Sequence, residues 1–142
     1  PRFLCAASPE YLAHHGVPHH PNELDAHTLL GFIRADCNTA DDWLFTREDE
    51  CISVTPGPLL SINHAHSLCE AARQHLGLIY LLDRTLRNYV NAGQLMPVLT
   101  DWCCEGPPVH ILYPEQRHRS HKVQAFVNFA RELFAADDEG HD

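Results

Sequence analysis

Residues 63–82 read Asn63-His64-Ala65-His66-Ser67-Leu68-Cys69-Glu70-Ala71-Ala72-Arg73-Gln74-His75-Leu76-Gly77-Leu78-Ile79-Tyr80-Leu81-Leu82, and this stretch decides the fold class. Ala65, Leu68, Cys69, Ala72 and Leu76 fall at the three- and four-residue steps that line one helical face. Asn63 is expected to cap that helix and Gly77 to end it. Residues 78–82 are uniformly apolar, as a strand covered on both faces must be. A helix feeding a buried strand is the unit from which parallel sheets are built.

Working upstream, residues 59–62 make a short strand, and residues 43–46 and 51–55 alternate in polarity around a polar stretch at 47–50, which predicts a hairpin. Residues 28–33 form a continuous apolar run, expected as another covered strand. Ser8-Pro9-Glu10 offers a cap, a first-turn proline and a first-turn acid, so a helix starts there, and Gly16 can close it. Downstream, Asp83 is expected to cap a helix through Leu86, Tyr89 and Val90 that stops near Gly93. Pro97 cannot donate to a ladder, so residues 95–99 are expected at a sheet edge. Residues 101–108 read as loop and 109–113 as a strand. Ser120 should cap a last helix with Val123, Phe126, Val127, Ala130 and Phe134 on its apolar face, and residues 137–142 form an acidic tail expected to be disordered. Helices alternating with strands predict an α/β fold with a mostly parallel sheet flanked by helices.

The 142 residues fit one ordinary domain, and 44% apolar with 20% charged residues is the balance of a globular chain. Ten Lys and Arg stand against nineteen Asp and Glu, for a formal charge of −9. That excludes the basic footprint on which nucleic-acid binding rests; any DNA contact must come from another domain. Six Cys lack the two-residue gaps of zinc or redox pairs. Cys5, Cys51 and Cys69 lie in apolar patterns where a free thiol acts as a small hydrophobe. No run reaches the ~20 apolar residues of a membrane span, and no basic-then-apolar leader opens the chain. The expectation is a soluble cytoplasmic protein without membrane contact, and a start at Pro1 suggests a fragment.

Three segments together resemble the effector-binding domain of LysR-type transcriptional regulators. They are residues 5–18, continuing to Pro21 and Leu24; residues 63–82, in which Ala71-Ala72 leads to Leu76-Gly77-Leu78; and residues 95–102 followed by His110-Ile111-Leu112-Tyr113-Pro114, Arg117, Ser120 and the residues of the last helix to about Phe134. The resemblance implies a fold like type II periplasmic binding proteins, two α/β subdomains around a cleft that holds a small effector. It further implies that DNA is touched only through an N-terminal winged helix-turn-helix, absent here, and that the full protein is a homodimer or tetramer. On the same footing, residues 1–136 would be a partial effector-binding domain. They would comprise the second subdomain with a returning C-terminal strand and helix, most of the first subdomain being missing. His64 and His121 stand where the family often has Asp and Pro, and Ile79-Tyr80-Leu81-Leu82-Asp83 replaces a more usual small residue and Leu-Pro ending.

Clefts in open α/β sheets form at the carboxyl ends of strands, beside helix starts whose free N–H groups favour anions. Arg34 and Asp36, leaving residues 28–33, and Asn63 and His64, entering the helix, fit that description, and His110 joins them within the third segment. An anionic organic effector is therefore expected, with Arg34 able to pair with a carboxylate. Twelve His invite a metal alternative, above all His14, His15, His19 and His20, and His64 with His66. Adjacent or alternate helical residues diverge, so no metal site or other cofactor is assigned. Asp36, Asp41 and Asp42 read as a solvated loop. No nucleophile elbow, zinc-protease pair or glycine-rich phosphate loop is present, so no enzyme is expected. A small His-dependent metalloenzyme and a solute-binding receptor of the same fold are the alternatives.

Overall fold

The computed structural model describes residues 1–34, 38–102, 104–106, 110 and 120–139. Two compact units are present, Pro1–Pro107 and Pro108–Asp142. In the first, strand β1 (Arg2–Ala7) is followed by helix α1 (Pro9–His15), a 3-10 turn (Pro21–Ala26), β2 (Gly31–Phe32), β3 (Trp43–Arg47), β4 (Glu50–Val54), β5 (Ser61–Ile62), α2 (Ala65–Arg73), β6 (Ile79–Leu82), α3 (Asp83–Asn91), β7 (Met96–Val98) and β8 (Cys104–Glu105).

β2 and β5 pair in parallel. A parallel bridge, Leu29 to Leu78, joins them to β6 through Leu30 N–H to the Leu78 carbonyl and Leu78 N–H to the Thr28 carbonyl, both 2.9 Å. β1 then lies between β6 and β7, antiparallel to both. β2, β5, β6 and β7 thus share one direction, as the mostly parallel sheet requires, and β1 runs against them. The run at 28–33 is narrower as a strand than its apolar length predicts, because its ends are held by single bridges, Leu29 to Leu78 and Ile33 to Ala40. The hairpin of β3 and β4 forms in register Trp43 to Val54, and Pro97 sits on the edge strand β7.

Both sheet faces are covered, which is why its strands read as unbroken apolar runs. Cys5, Ala7, Leu78 and Tyr80 face one core with Tyr11, Leu12, Leu24, Trp43, Phe45 and Trp102. Their neighbours Ala6, Ile79 and Leu81 face a second core with Leu68, Cys69, Ala72 and Leu86 from α2 and α3. The period-two sorting assigns the hairpin and α1 to one face and α2 and α3 to the other. Cys5 and Cys69 are buried free thiols and burial pushes both up, Cys69 to about 11, so they serve as packing. Cys51 is exposed instead, because its strand β4 turns that position outward.

Capping departs from expectation at three places. Ser8 caps α1 as predicted, its Oγ accepting the Tyr11 N–H at 3.1 Å. For α2 the cap is His64 rather than Asn63, with Nδ1 accepting the Ser67 N–H at 3.3 Å. α2 ends at Arg73, not at Gly77: Leu76 N–H reaches the Ala71 carbonyl and His75 N–H that of Ala72, the Schellman pattern, with His75 at φ 63° where glycine is usual. The His75 ring is held on both sides, 2.7 Å from Ser8 Oγ and 3.2 Å from Glu10 Oε2, and that anchoring sustains the left-handed turn. For α3, Asp83 is the first helical residue and no side chain caps Leu82. Gly77 instead permits a close approach between two backbone segments, since a Cβ there would sit 2.4 Å from the Thr28 carbonyl oxygen.

In the second unit the described element is α4 (His121–Glu139). Val123, Val127 and Phe134 are half-buried and Ala130 buried, whereas Phe126 is 62% exposed, so the covered stripe omits one residue of the predicted face. Asp137, Asp138 and Glu139, expected in a disordered tail, belong to this helix, since Ala135 and Ala136 propagate it cheaply. Apart from His110, the expected strand at 109–113 lies outside the described residues, as do residues 140–142.

Three outcomes are expected of this packing. Gly77→Ala forces the backbone away from Thr28 and should lower stability by roughly 1–3 kcal/mol, read as a lower urea midpoint with unchanged slope. His64→Ala should cost about 1 kcal/mol of helix capping while His64→Asp restores or exceeds the parent, compared by thermal denaturation. Burial, then the nearby His15, hold His27 below its usual value near 6.5. The unfolded chain therefore takes up the proton first, so His27's contribution is complete above about pH 6.5 and is lost as pH falls through its lowered folded value. Urea midpoints should fall more steeply from pH 7.5 to 5.0 for the parent than for His27→Gln; parallel profiles would show that His27 carries none of this.

Candidate effector-binding site

The ends of β2, β5 and β6 meet at one rim, and there a cavity of about 390 Å³ opens in the first unit. Its walls are Phe3, Phe32, Trp43, Leu44, Ala65, Tyr80, Leu81, Leu82 and Thr85, with Arg34, Asp41 and Asp42 as its charged residues. The volume falls in the range of small-molecule sites, and apolar walls with a few polar groups are their usual make-up. β2 delivers Phe32 and Arg34, α2 begins at Ala65, β6 and the first turn of α3 supply Tyr80 to Thr85, and the hairpin adds Trp43 and Leu44.

Aromatic packing shapes the floor. Tyr80 stacks on Phe3 with centroids 5.1 Å apart and on Trp43 at 5.5 Å, and its hydroxyl donates to the Leu44 carbonyl. Gly31 sets how closely β2 approaches its neighbours, since a Cβ there would lie 2.5 Å from the Ala40 Cβ and 2.7 Å from Ser61 Oγ. At the mouth, Arg34 Nε lies 3.1 Å from Asp41 Oδ1, with the two side chains 58% and 38% exposed. Asp42 Oδ1 accepts the Thr55 hydroxyl at 2.7 Å.

Of the residues expected to form the site, Arg34 lines this cavity. Asn63 and His64 do not: both are exposed, two residues and one residue short of the wall that Ala65 begins. His64 Nδ1 is an acceptor from Ser67 N–H, a role open only to an unprotonated nitrogen, so a charged His64 welcoming an anion conflicts with the cap. His110 is exposed and belongs to the second unit, outside this lining. Asp36 lies outside the described residues. Asp41 and Asp42, read from the sequence as a solvated loop, line the cavity, and Phe3, Phe32, Tyr80 and Thr85 join them with no signal that sequence pattern offers.

Three of the histidines weighed as metal ligands have local partners. The His14 and His15 Nδ1 atoms lie 2.8 and 3.0 Å from the Glu10 and Tyr11 carbonyls one turn back, to which they donate, and His20 Nδ1 accepts the Asn22 N–H. Among the described residues no group of three His, Cys, Asp or Glu side chains is placed to hold a metal ion, so the metalloenzyme alternative gains no support. No helix among those residues is long and apolar enough to cross a membrane. A second, more open hollow of about 490 Å³ lies between the 3-10 turn and the Gly57-Pro58 bend, bordered by Asp25, His27, Thr28 and Thr55.

Comparison with known proteins agrees with this geometry. The family model described as the LysR substrate binding domain matches residues 1–135. An HTH-type transcriptional repressor of Pseudomonas aeruginosa is 32% identical over 144 residues, covering 97% of this chain and 45% of that protein. The HTH-type transcriptional regulator YcaN of Escherichia coli is 35% identical over 132 residues, covering 92% of this chain and 42% of its own. The chain thus spans less than half the length of these relatives. Among solved structures, the regulatory domain of CrgA from Neisseria meningitidis superposes with a TM-score of 0.67 at 24% identity, over 90% of this chain and 62% of that one. Full-length AphB, a Vibrio cholerae virulence activator, gives 0.65 at 27% identity, over 73% and 34%. With the model spanning nearly all of its length and the strand order of a ligand-binding rim, this chain belongs to the LysR substrate binding domain family.

Proposed function

We propose that the chain is the effector-sensing part of a LysR-type transcriptional regulator and that its effector occupies the cavity at the carboxyl ends of β2, β5 and β6. The observation that carries this is the placement of a ligand-sized, mainly apolar concavity where the strand ends of an open α/β sheet leave a crevice. The lining, among the described residues, is mainly apolar and includes no His or Cys, which supports a site that holds a molecule. A net charge of −9 is repelled by phosphate, which supports DNA contact by another segment, an N-terminal winged helix-turn-helix, in a homodimeric or tetrameric cytoplasmic regulator. The effector alters transcription only if it binds two arrangements of that assembly unequally.

Ala65 is partly buried at the first position of α2, so Ala65→Leu fills the cavity at little cost to the fold. A small organic molecule that stabilises the parent chain by about 2.7 kcal/mol at a hundredfold excess over its Kd should lose at least about tenfold in affinity against this variant, whose melting temperature without ligand stays near the parent's. In the intact regulator the same molecule should change expression from a reporter promoter, and Ala65→Leu should abolish the response. A ligand that binds parent and variant alike lies elsewhere and removes this cavity from the account.

A further inference from the structure

Charge at the mouth of the cavity points to the class of ligand, an inference that rests on the cavity being the effector site. Among the described residues Arg34 is the cation of the lining and Asp41 and Asp42 are its anions, one positive charge against two negative. Arg34 is already bonded to Asp41 at 3.1 Å. Asp42 receives only a neutral hydroxyl, that of Thr55 at 2.7 Å, and among the described residues no cation pairs with it. A carboxylate has four lone-pair positions, so Asp42 retains acceptor capacity after that bond.

The two helix starts at this rim would otherwise favour an anion, but each is already served from within the chain. His64 Nδ1 accepts a first-turn N–H of α2, and the Asp83 carboxylate accepts the Arg84 N–H of α3 at 2.7 Å. An incoming carboxylate would therefore lose its hydration beside Asp41 and Asp42 and have to share the Arg34 guanidinium with Asp41. A cationic donor meets the opposite situation, with carboxylate oxygens at the mouth and flat apolar walls from Phe3, Phe32 and the Tyr80 stack below. The Tyr80 hydroxyl is committed to the Leu44 carbonyl, and its ring, stacked on Phe3 and on Trp43, fixes the flat wall those aromatics present.

We infer that the cavity takes a flat aromatic or heteroaromatic molecule bearing a cationic nitrogen, and that Asp42 is the residue that selects it over the matching acid. This reverses the anionic effector expected from Arg34 taken alone.

Three probes of one ring and three charges test it: benzylammonium, benzamide and benzoate, titrated calorimetrically at pH 7 into the 142-residue chain and into Asp42→Asn. Asparagine keeps an oxygen for the Thr55 hydroxyl and removes only the charge. Benzylammonium should bind about tenfold or more tighter than benzoate, as one unscreened unit charge at the mouth would give, with benzamide between them. Asp42→Asn should shrink the ammonium-to-benzoate ratio several-fold and leave benzamide unchanged. Equal or tighter benzoate, no heat from any probe at millimolar concentration, or a ratio untouched by Asp42→Asn overturns the inference. Ala65→Leu separates the two levels: if benzoate binds best and this variant abolishes it, the cavity stands and the ligand class falls. If the variant binds all three like the parent, the cavity itself falls.

Discussion

The contact between Gly77 and Thr28 is the constraint on which the rest of the first unit depends. Two hydrogen bonds, Leu78 N–H to Thr28 and Leu30 N–H to Leu78, join the β2–β5 pair to the β6–β1–β7 sheet. They can form at 2.9 Å because residue 77 has no Cβ to meet the Thr28 carbonyl. Without that junction the carboxyl ends of β2 and β6 would not share a rim, and the cavity between Phe32, Arg34 and Leu82 would have no common mouth. Gly31, wedged between Ala40 and Ser61, applies the same device on the other side of β2. Two glycines, neither in a turn, thus determine how far apart the walls of the site stand.

From that junction the two cores follow. Alternate residues of β1 and β6 separate to opposite faces, and the faces differ in character. Aromatic side chains from the hairpin gather over one, and the small and branched residues of α2 and α3 over the other. The cavity opens where these layers meet, with Trp43 and Leu44 from the hairpin on one wall and Ala65 and Thr85 from the helices on the opposite one. Tyr80 ties the layers together, stacked against Trp43 and hydrogen-bonded to Leu44. Its size therefore serves packing of the hairpin as much as the floor of the site.

Much of this was legible in the sequence because it depends on local pattern. The 3.6-residue spacing of Leu68, Cys69 and Ala72 marked α2, the apolar run at 78–82 marked a strand covered on both faces, and Ser8 marked the start of α1. What escaped depends on tertiary partners. Nothing around His75 distinguishes it from its neighbours until Ser8 and Glu10, more than sixty residues away, hold its ring in a turn that glycine normally occupies. Gly77 looked like a helix stop because the carbonyl it accommodates lies 49 positions earlier. Arg34 was legible at the end of its strand and lines the cavity, but its pairing with Asp41 crosses a bend that periodicity does not describe.

That pairing also bears on how binding could be felt beyond the cavity. An ion pair as exposed as Arg34 with Asp41 contributes on the order of 0–1 kcal/mol, so it holds the mouth in place only weakly. The walls behind it are different in kind: Trp43, Tyr80 and Leu81 are buried, and moving them disturbs a close-packed core. A ligand contacting Leu44 and Thr85 together would span a wall that yields at its rim and resists at its base. Its free energy of binding would then be expressed at the Arg34–Asp41 pair rather than as rearrangement of the sheet. Coupling of that kind needs no strain in the core; it needs only that the rim have more than one arrangement of similar energy.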